Sequence, residues 1–247
     1  MAVLVTRPHP DNEATAHALK ERGFAVVLAP MLRFEPAGLS DEAGTDYAGV
    51  LATSANALRA VEPQLAASGL LDLPLFAVGG HTASEARSFG FTRVISADGD
   101  AAKLSSLVRK SIKARKKQAV RLLYLAAADL SHDLAGELAT DGFDVTTRTT
   151  YRMVALTGLS RETRDAFAAN EVEAVLHYSQ RSARAFLDAA RADGVEVSAL
   201  AVPQCCMSAN VAAILREAGA MRVLTAASPD ENALFAALER ALRPGLA

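Results

Sequence analysis

The sequence predicts an α/β protein built on parallel sheets, and two observations carry that expectation. Short runs rich in Val, Leu and Ala alternate with amphipathic stretches, as where "AVLVT", Ala2 to Thr6, is followed by "DNEATAHALKER" and then "FAVVLAP". Apolar strands separated by helices are the pattern of a parallel sheet covered on both faces. The pattern also recurs. "GVLATSANALRAV", Gly49 to Val61, and "AVLHYSQRSARAF", Ala174 to Phe186, align without gaps and place Ser54 and Ser179 at the same point, 125 residues apart.

Taken in order, the first strand leads into a helix predicted from Asp11 to Arg22, with Gly23 as its C-cap and Phe24 opening the next strand. "MLRFEPAG", Met31 to Gly38, alternates polar and apolar residues, and the first serine segment follows it. "FAVGGHTASEARSFGFTRVISADGDAAKLSSLV" then supplies strand, helix, glycine turn, "RV" strand, acidic loop and helix. "RLLYLAAADLSHDLAGELATDGFDVTTRTTY" restarts the opening pattern, with Gly142-Phe143 answering Gly23-Phe24. A second alternating segment, "TTRTTYRMVAL" from Thr146 to Leu156, precedes the second serine segment. "CCMSANVAAILREAGAMRVLTAASPDENALFAAL" then repeats the earlier order of helix, Gly turn, "RV" strand, acidic loop and terminal helix. The chain therefore reads as two copies of a five-strand α/β unit. Two consecutive domains split near residue 118 satisfy this repeat as well as an interleaved arrangement does.

Bulk composition narrows the partners. With 247 residues, 51% hydrophobic and 22% charged, the chain has material for two modest domains and is not of disordered type. A formal net charge of −2 gives no general attraction to nucleic acid or to an acidic membrane, so any anion site is local and the expected partner is a small molecule. Cys205 and Cys206 are adjacent, where a vicinal disulfide would be strained, and lack His or Cys neighbours at metal-ligand spacing. They read as buried thiols of a reducing cytoplasm, and no metal is expected. No basic-plus-apolar leader and no eighteen-residue apolar run is present, so the expected location is cytoplasmic rather than exported or membrane-bound. The basic run "RKSIKARKK", Arg109 to Lys117, lacks interleaved aromatics and reads as a solvated helix end rather than a nucleic-acid patch.

In an open parallel sheet the loops after the strands' carboxyl ends collect together, and each following helix presents unpaired N–H groups and a positive dipole end. Anions bind there. The candidate anion-binding residues at these points are Thr6 and Arg7; Ser54, Ala55 and Asn56; Gly79, His81 and Thr82; Ser179, Gln180 and Arg181; and Ser208 and Asn210. Helix capping alone explains each serine without a ligand. The ligand reading gains from the recurrence of such loops in both copies and from Arg7 and Arg181 as mobile cations beside helix starts.

"LVTRP" at the start, "TSANAL" after the third strand, "VGGHTA" after the fourth and "TTYRMVA" near the middle together resemble the uroporphyrinogen-III synthase family, with matches spread over almost the whole chain. The resemblance implies two flavodoxin-like parallel-sheet lobes joined by a two-stranded connector, one lobe being discontinuous in sequence. On that pattern residues 1–34 and 156–247 form the discontinuous lobe and 35–155 the other, with connectors at about 31–38 and 146–156. It further implies a cofactor-free cyclisation of hydroxymethylbilane, with loss of water and inversion of ring D, to give uroporphyrinogen III. The bilane carries eight acetate and propionate carboxylates, which a cleft lined by helix starts could hold. The expected form is a monomer.

Tyr151 matches the family's connector tyrosine, and the resemblance makes it the proton donor for the departing hydroxide; its alternative role is packing on the connector ladder. Tyr178 is a weaker candidate that could instead fill the end of the sheet. His81 is the histidine in a candidate loop, read either as functional or as a solvated helix start, and His177 is placed on the sheet surface. One loop departs from the family pattern. Ser208, Ala209, Asn210 and Val211 stand where a Gly-Pro-x-Thr-like turn is expected, with Asn210 able to cap or donate in its place. A non-catalytic module binding a tetrapyrrole or another polyanion competes with the enzyme reading. A nucleotide enzyme is weakened by the lack of GxGxxG and GxxxxGK[ST].

Overall fold

A computed structural model describes residues 1–39, 46–113, 119–130 and 132–242. Eleven strands are formed among the described residues: β1 (Ala2–Val5), β2 (Ala25–Leu28), β3 (Leu32–Pro36), β4 (Gly49–Ala52), β5 (Leu75–Ala77), β6 (Val94–Ser96), β7 (Val120–Ala127), β8 (Phe143–Ala155), β9 (Val172–His177), β10 (Gln204–Cys206) and β11 (Val223–Thr225). They make a five-stranded sheet in the order β11-β10-β9-β1-β2 and a six-stranded sheet in the order β3-β8-β7-β4-β5-β6. Every pairing within β11-β10-β9-β1-β2 and within β8-β7-β4-β5-β6 is parallel. The chain divides into two compact units, one of residues Met1–Phe34 with Val154–Ala247 and one of Glu35–Met153.

Each unit holds the same strand order made from a pair and a triplet. In the first, the pair β1-β2 joins the triplet β9-β10-β11; in the second, the pair β7-β8 joins β4-β5-β6. Turn geometry repeats with the strands. Gly23 and Gly142 end equivalent helices at φ of +84° and +85°, and Gly90 and Gly219 do so at +100° and +97°. Both pairs sit in the left-handed region, where a side chain would clash with its own backbone.

Apolar burial gives each unit its own core. In the first, Val3, Val5, Leu176, Leu234 and Phe235 pack with Leu19 and Phe24. In the second, Leu51, Phe76, Leu104, Leu122, Tyr124 and Phe143 do so. Full burial of one such side chain contributes about 1.5–3 kcal/mol, so these clusters dominate the folding energy. The first helix runs Asp11–Glu21 with Arg22 as its C-cap.

β3 and β8 are the expected alternating segments. Ala37 N donates to Thr150 O (2.7 Å) and Leu156 N to Met31 O (3.0 Å), so the two strands run antiparallel. The register of β8 against β7 shifts between Ala126, which faces Thr149, and Ala127, which faces Tyr151. Thr150 is thus an extra, bulged residue. Regular alternation would bury only one of Thr150 and Tyr151, but both are buried.

The sequence placed His177 on the sheet surface; it is instead fully buried, because the helix Gln180–Ala192 covers that face and brings Phe186 to 5.2 Å from the imidazole. Cys205 and Cys206 are free, buried thiols, both pushed up to about 12 by burial. Of the basic run, Arg109 ends a helix and pairs with Asp141 (2.6 Å) and Glu137 (3.0 Å); Ala114 to Lys117 lie outside the described residues.

Candidate functional site

The candidate serines Ser54, Ser179 and Ser208 are N-caps of the helices that follow β4, β9 and β10. Ser54 accepts from Asn56 N at 3.2 Å, Ser179 from Ser182 N at 3.1 Å and Ser208 from Val211 N at 3.5 Å. Each has an extended backbone before its helix. Ala55 is buried against its unit, whereas Asn56 is half-buried and accepts from Arg59 at 3.0 Å. Gln180, Arg181 and Asn210 are exposed on the first turns of their helices. Gly79 caps the helix Gly80–Ser88 without a side chain, His81 is exposed on its first turn, and Thr82 is buried. A Cβ added at Gly79 or Gly80 would meet nothing within 4 Å, so neither glycine is required by packing.

Two residues of the first loop differ from expectation. Thr6 is fully buried and donates its hydroxyl to Leu176 O at 2.8 Å, which ties β1 to β9. Arg7 is not a mobile cation. Its guanidinium pairs with Asp11 (3.3 Å) and Glu231 (3.1 Å) and lies 5.0 Å above the Tyr178 ring. Glu231 Oε1 also accepts from Thr15 Oγ1 (2.5 Å) and Tyr178 OH (3.0 Å). Burial, then the charge of Glu231, drives the Tyr178 phenol well above its ordinary range, so it stays protonated and donates. Glu231 escaped sequence reasoning because its partners Arg7 and Thr15 lie more than two hundred residues away, with only the acidic loop as a signal.

Tyr151 lines a pocket of about 370 Å³ within the second unit, together with Glu35, Pro36, Ala37, Ala128, Thr149 and Arg152. The walls are held by backbone bonds: Ala128 N donates to Tyr151 O at 2.9 Å, and Ala37 N donates to the carbonyl of the bulged Thr150. Thr150 Oγ1 donates to Ala126 O at 3.2 Å. Arg152 and Glu35 form an ion pair at 2.6 Å. Of the candidate residues read from the sequence, Tyr151 is the one this lining contains. Nearby, Tyr124 OH lies 2.9 Å from Thr53 Oγ1, and its phenol is raised chiefly by burial, with a smaller contribution from Tyr151. Glu35 and Arg152 were missed, although Arg152 adjoins Tyr151 and Glu35 lies in the paired alternating segment. No group of three or more His, Cys, Asp or Glu side chains able to hold a metal occurs among the described residues.

The family model of uroporphyrinogen-III synthase HemD matches residues 13–236. This chain belongs to the uroporphyrinogen-III synthase family. A family enzyme of this kind closes a linear tetrapyrrole, and the chain is accordingly a cyclising synthase of tetrapyrrole biosynthesis. Solved structures agree on the fold. The uroporphyrinogen-III synthetase of Helicobacter pylori is similar at a TM-score of 0.65 and 18% identity, covering 98% of this chain and 99% of that one. A mutant uroporphyrinogen III synthase of the extreme thermophile Thermus thermophilus gives a TM-score of 0.56 at 18% identity, covering 99% of both chains. No curated protein matches the sequence. The family's bilobed α/β fold corresponds to the two parallel-dominated sheets described above. No helix among the described residues is long and apolar enough to cross a membrane.

Proposed function

We propose that this synthase acts on hydroxymethylbilane, with Tyr151 as the proton donor to the departing hydroxide. Membership of the family over residues 13–236 carries the reaction, and the position of Tyr151 in a pocket beside an exposed arginine supports its role. A phenol hydroxyl placed beside the leaving oxygen can donate its proton as the carbon–oxygen bond breaks. Water leaves, and the resulting cation is attacked by the substituted carbon of ring D. The spiro intermediate then rearranges to the inverted macrocycle.

The physical demand is selectivity, because the bilane also closes unaided to the uninverted isomer. A hundredfold preference requires about 2.7 kcal/mol between the two barriers, which positioning alone can supply. Ser54, Ser179 and Ser208, with Asn56, Gln180 and Asn210, are proposed to contribute carboxylate contacts at helix starts. Each is worth only about 0.3–1 kcal/mol, so the grip is distributed. The same reading takes the enzyme as a cytoplasmic monomer working without a cofactor.

The test is incubation with freshly made hydroxymethylbilane and separation of type III from type I product. Type III excess with wild type, and turnover ten- to a thousandfold lower for folded Tyr151→Phe, is the expected result. Binding of the bilane without type III product would favour the non-catalytic polyanion-binding module. Unchanged single-turnover rates for Tyr151→Phe would remove Tyr151 from the chemistry.

A further inference from the structure

The Tyr151 pocket has a chemical character that the reaction alone does not specify. Pro36, Ala37 and Ala128 give it an apolar wall, Tyr151 gives an aromatic one, and Glu35 and Arg152 stand at its polar side. A volume of about 370 Å³ lies at the low end of the range of about 300–1,000 Å³ typical of small-molecule sites. That suits one substituted pyrrole, not a whole tetrapyrrole. The guanidinium is bound to Glu35 through Nε, and its side chain remains 66% exposed against 24% for the glutamate. Among the described residues no other partner takes Nη1 or Nη2. The pair therefore fixes the direction of the cation while its two-pronged end stays available, which is the geometry that carboxylates take bidentately.

We propose that Arg152 is the carboxylate-recognising residue of this pocket, which takes one acid-bearing pyrrole ring of the bilane, with Glu35 as the internal carboxylate that orients Arg152 and competes for it. The inference rests on the reading of the substrate as hydroxymethylbilane. An incoming acetate or propionate engages the free edge of the guanidinium and weakens the Glu35 contact, while the ring packs on Pro36, Ala37, Ala128 and Tyr151. The bulge at Thr150 is what makes this possible, because it puts Tyr151 on the pocket wall and the next residue, Arg152, at the exposed side. A ligand of the same shape without the acid gains nothing from Arg152. The residue thus selects for acid-bearing rings next to the proposed proton donor and is a positioning residue for ring binding.

The experiment titrates a monopyrrole bearing one acetate and one propionate, and its dimethyl ester, into wild type, Arg152→Gln, Arg152→Lys and Glu35→Gln. Amide shifts of Ala37, Ala128 and Arg152 report binding, and KM, kcat and the type III fraction are measured with the bilane. Arg152→Gln should weaken the diacid roughly five- to twentyfold, raise KM by a similar factor and leave kcat within about threefold. Arg152→Lys should recover part of the loss, and Glu35→Gln should strengthen diacid binding roughly two- to fivefold. The diester should bind all four proteins alike. Should Arg152→Gln fail to fold, the lysine and Glu35→Gln arms decide. Diacid binding indifferent to Arg152, or absent from wild type, overturns the proposal, as does Glu35→Gln weakening binding like Arg152→Gln, which would make the pair a structural clasp. The monopyrrole titration needs no turnover, so it judges the pocket even if the bilane proves not to be the substrate.

Discussion

Tyr178 OH donates to Glu231 Oε1 across 3.0 Å, joining the end of β9 to the first turn of the last helix. The same oxygen accepts from Arg7 and Thr15, so the carboxylate is the hub at which the first and last parts of the chain meet. Tyr178→Phe removes one donor from a charged acceptor and should destabilise the protein by about 1.5–3 kcal/mol. Urea unfolding at pH 7 reads this directly, and a loss below the error of the extrapolation would show the bond to be incidental. The phenol's raised pKa sets a further sign. A group whose folded pKa lies above its unfolded value of about 10 contributes stability that is full below pH 10 and is lost as the pH climbs beyond it. The wild type should therefore lose stability above pH 10 more steeply than Tyr178→Phe.

His177 should make the fold sensitive to acid. Gln204 spends its amide on Ala199 O and Val202 O, so its Oε1 faces His177 Nε2 at 2.8 Å and must accept. The imidazole is thereby fixed as the Nε2–H tautomer, and Nδ1 is buried without a partner. A proton added at Nδ1 would be an orphaned buried donor, and burial lowers the pKa to about 4 from 6.5. The unfolded chain binds that proton first. Stability is present above pH 6.5 and falls as the pH drops towards 4, by at most about 3 kcal/mol. Denaturant midpoints between pH 7 and pH 4.5 should fall faster for wild type than for His177→Gln; parallel slopes would assign the acid sensitivity elsewhere.

Ser54→Ala and Ser179→Ala each delete an N-cap and should cost about 0.5–2 kcal/mol of stability. The two serines lie in different units without shared partners, so in the double variant the losses should add. Each single should remain active, with bilane KM raised no more than about fivefold. If either single abolishes turnover in a folded protein, that serine is catalytic. If the double variant binds like wild type, both serines are caps and nothing more.

The two thiols should be inert in the native protein. Burial holds Cys205 and Cys206 up to about 12, so neither forms thiolate at pH 8. A chromogenic disulfide reagent should titrate neither in buffer and both in guanidinium. Rapid modification of the native protein at pH 8 would show that β10 opens to solvent.

Strands β1, β4 and β9 were legible because each is an apolar run followed at once by a capping or small residue, and the helices between them were legible by period. Ser54, Ser179 and Ser208 were legible as caps for the same reason. Other features leave no local mark. Thr150 bulges through a one-residue register slip that composition does not record. Arg7 looks mobile until Glu231, 224 residues away, is brought against it. His177 reads as half-exposed because alternation reveals the two faces of a strand, not whether a helix covers both. The choice of which strand pair joins which triplet is likewise invisible, since both copies satisfy every local rule either way.

That last choice governs the order in which the protein can be made. The chain runs pair, triplet, pair, triplet, yet each sheet takes its pair from one copy and its triplet from the other. The sheet β8-β7-β4-β5-β6 lies almost wholly within residues 35–153 and is complete as soon as β8 has left the ribosome. β1 and β2 emerge first but meet their partner β9 only after Val172, a delay of roughly 7–30 seconds at about 5–20 residues per second. For the early part of that interval the triplet of their own copy, β4-β5-β6, has its β4 edge open, until β7 arrives to occupy it. A nascent chain whose β1 took the edge of β4 before β7 arrived would close the wrong sheet, so early pairing of β7 with β4 guards the native order.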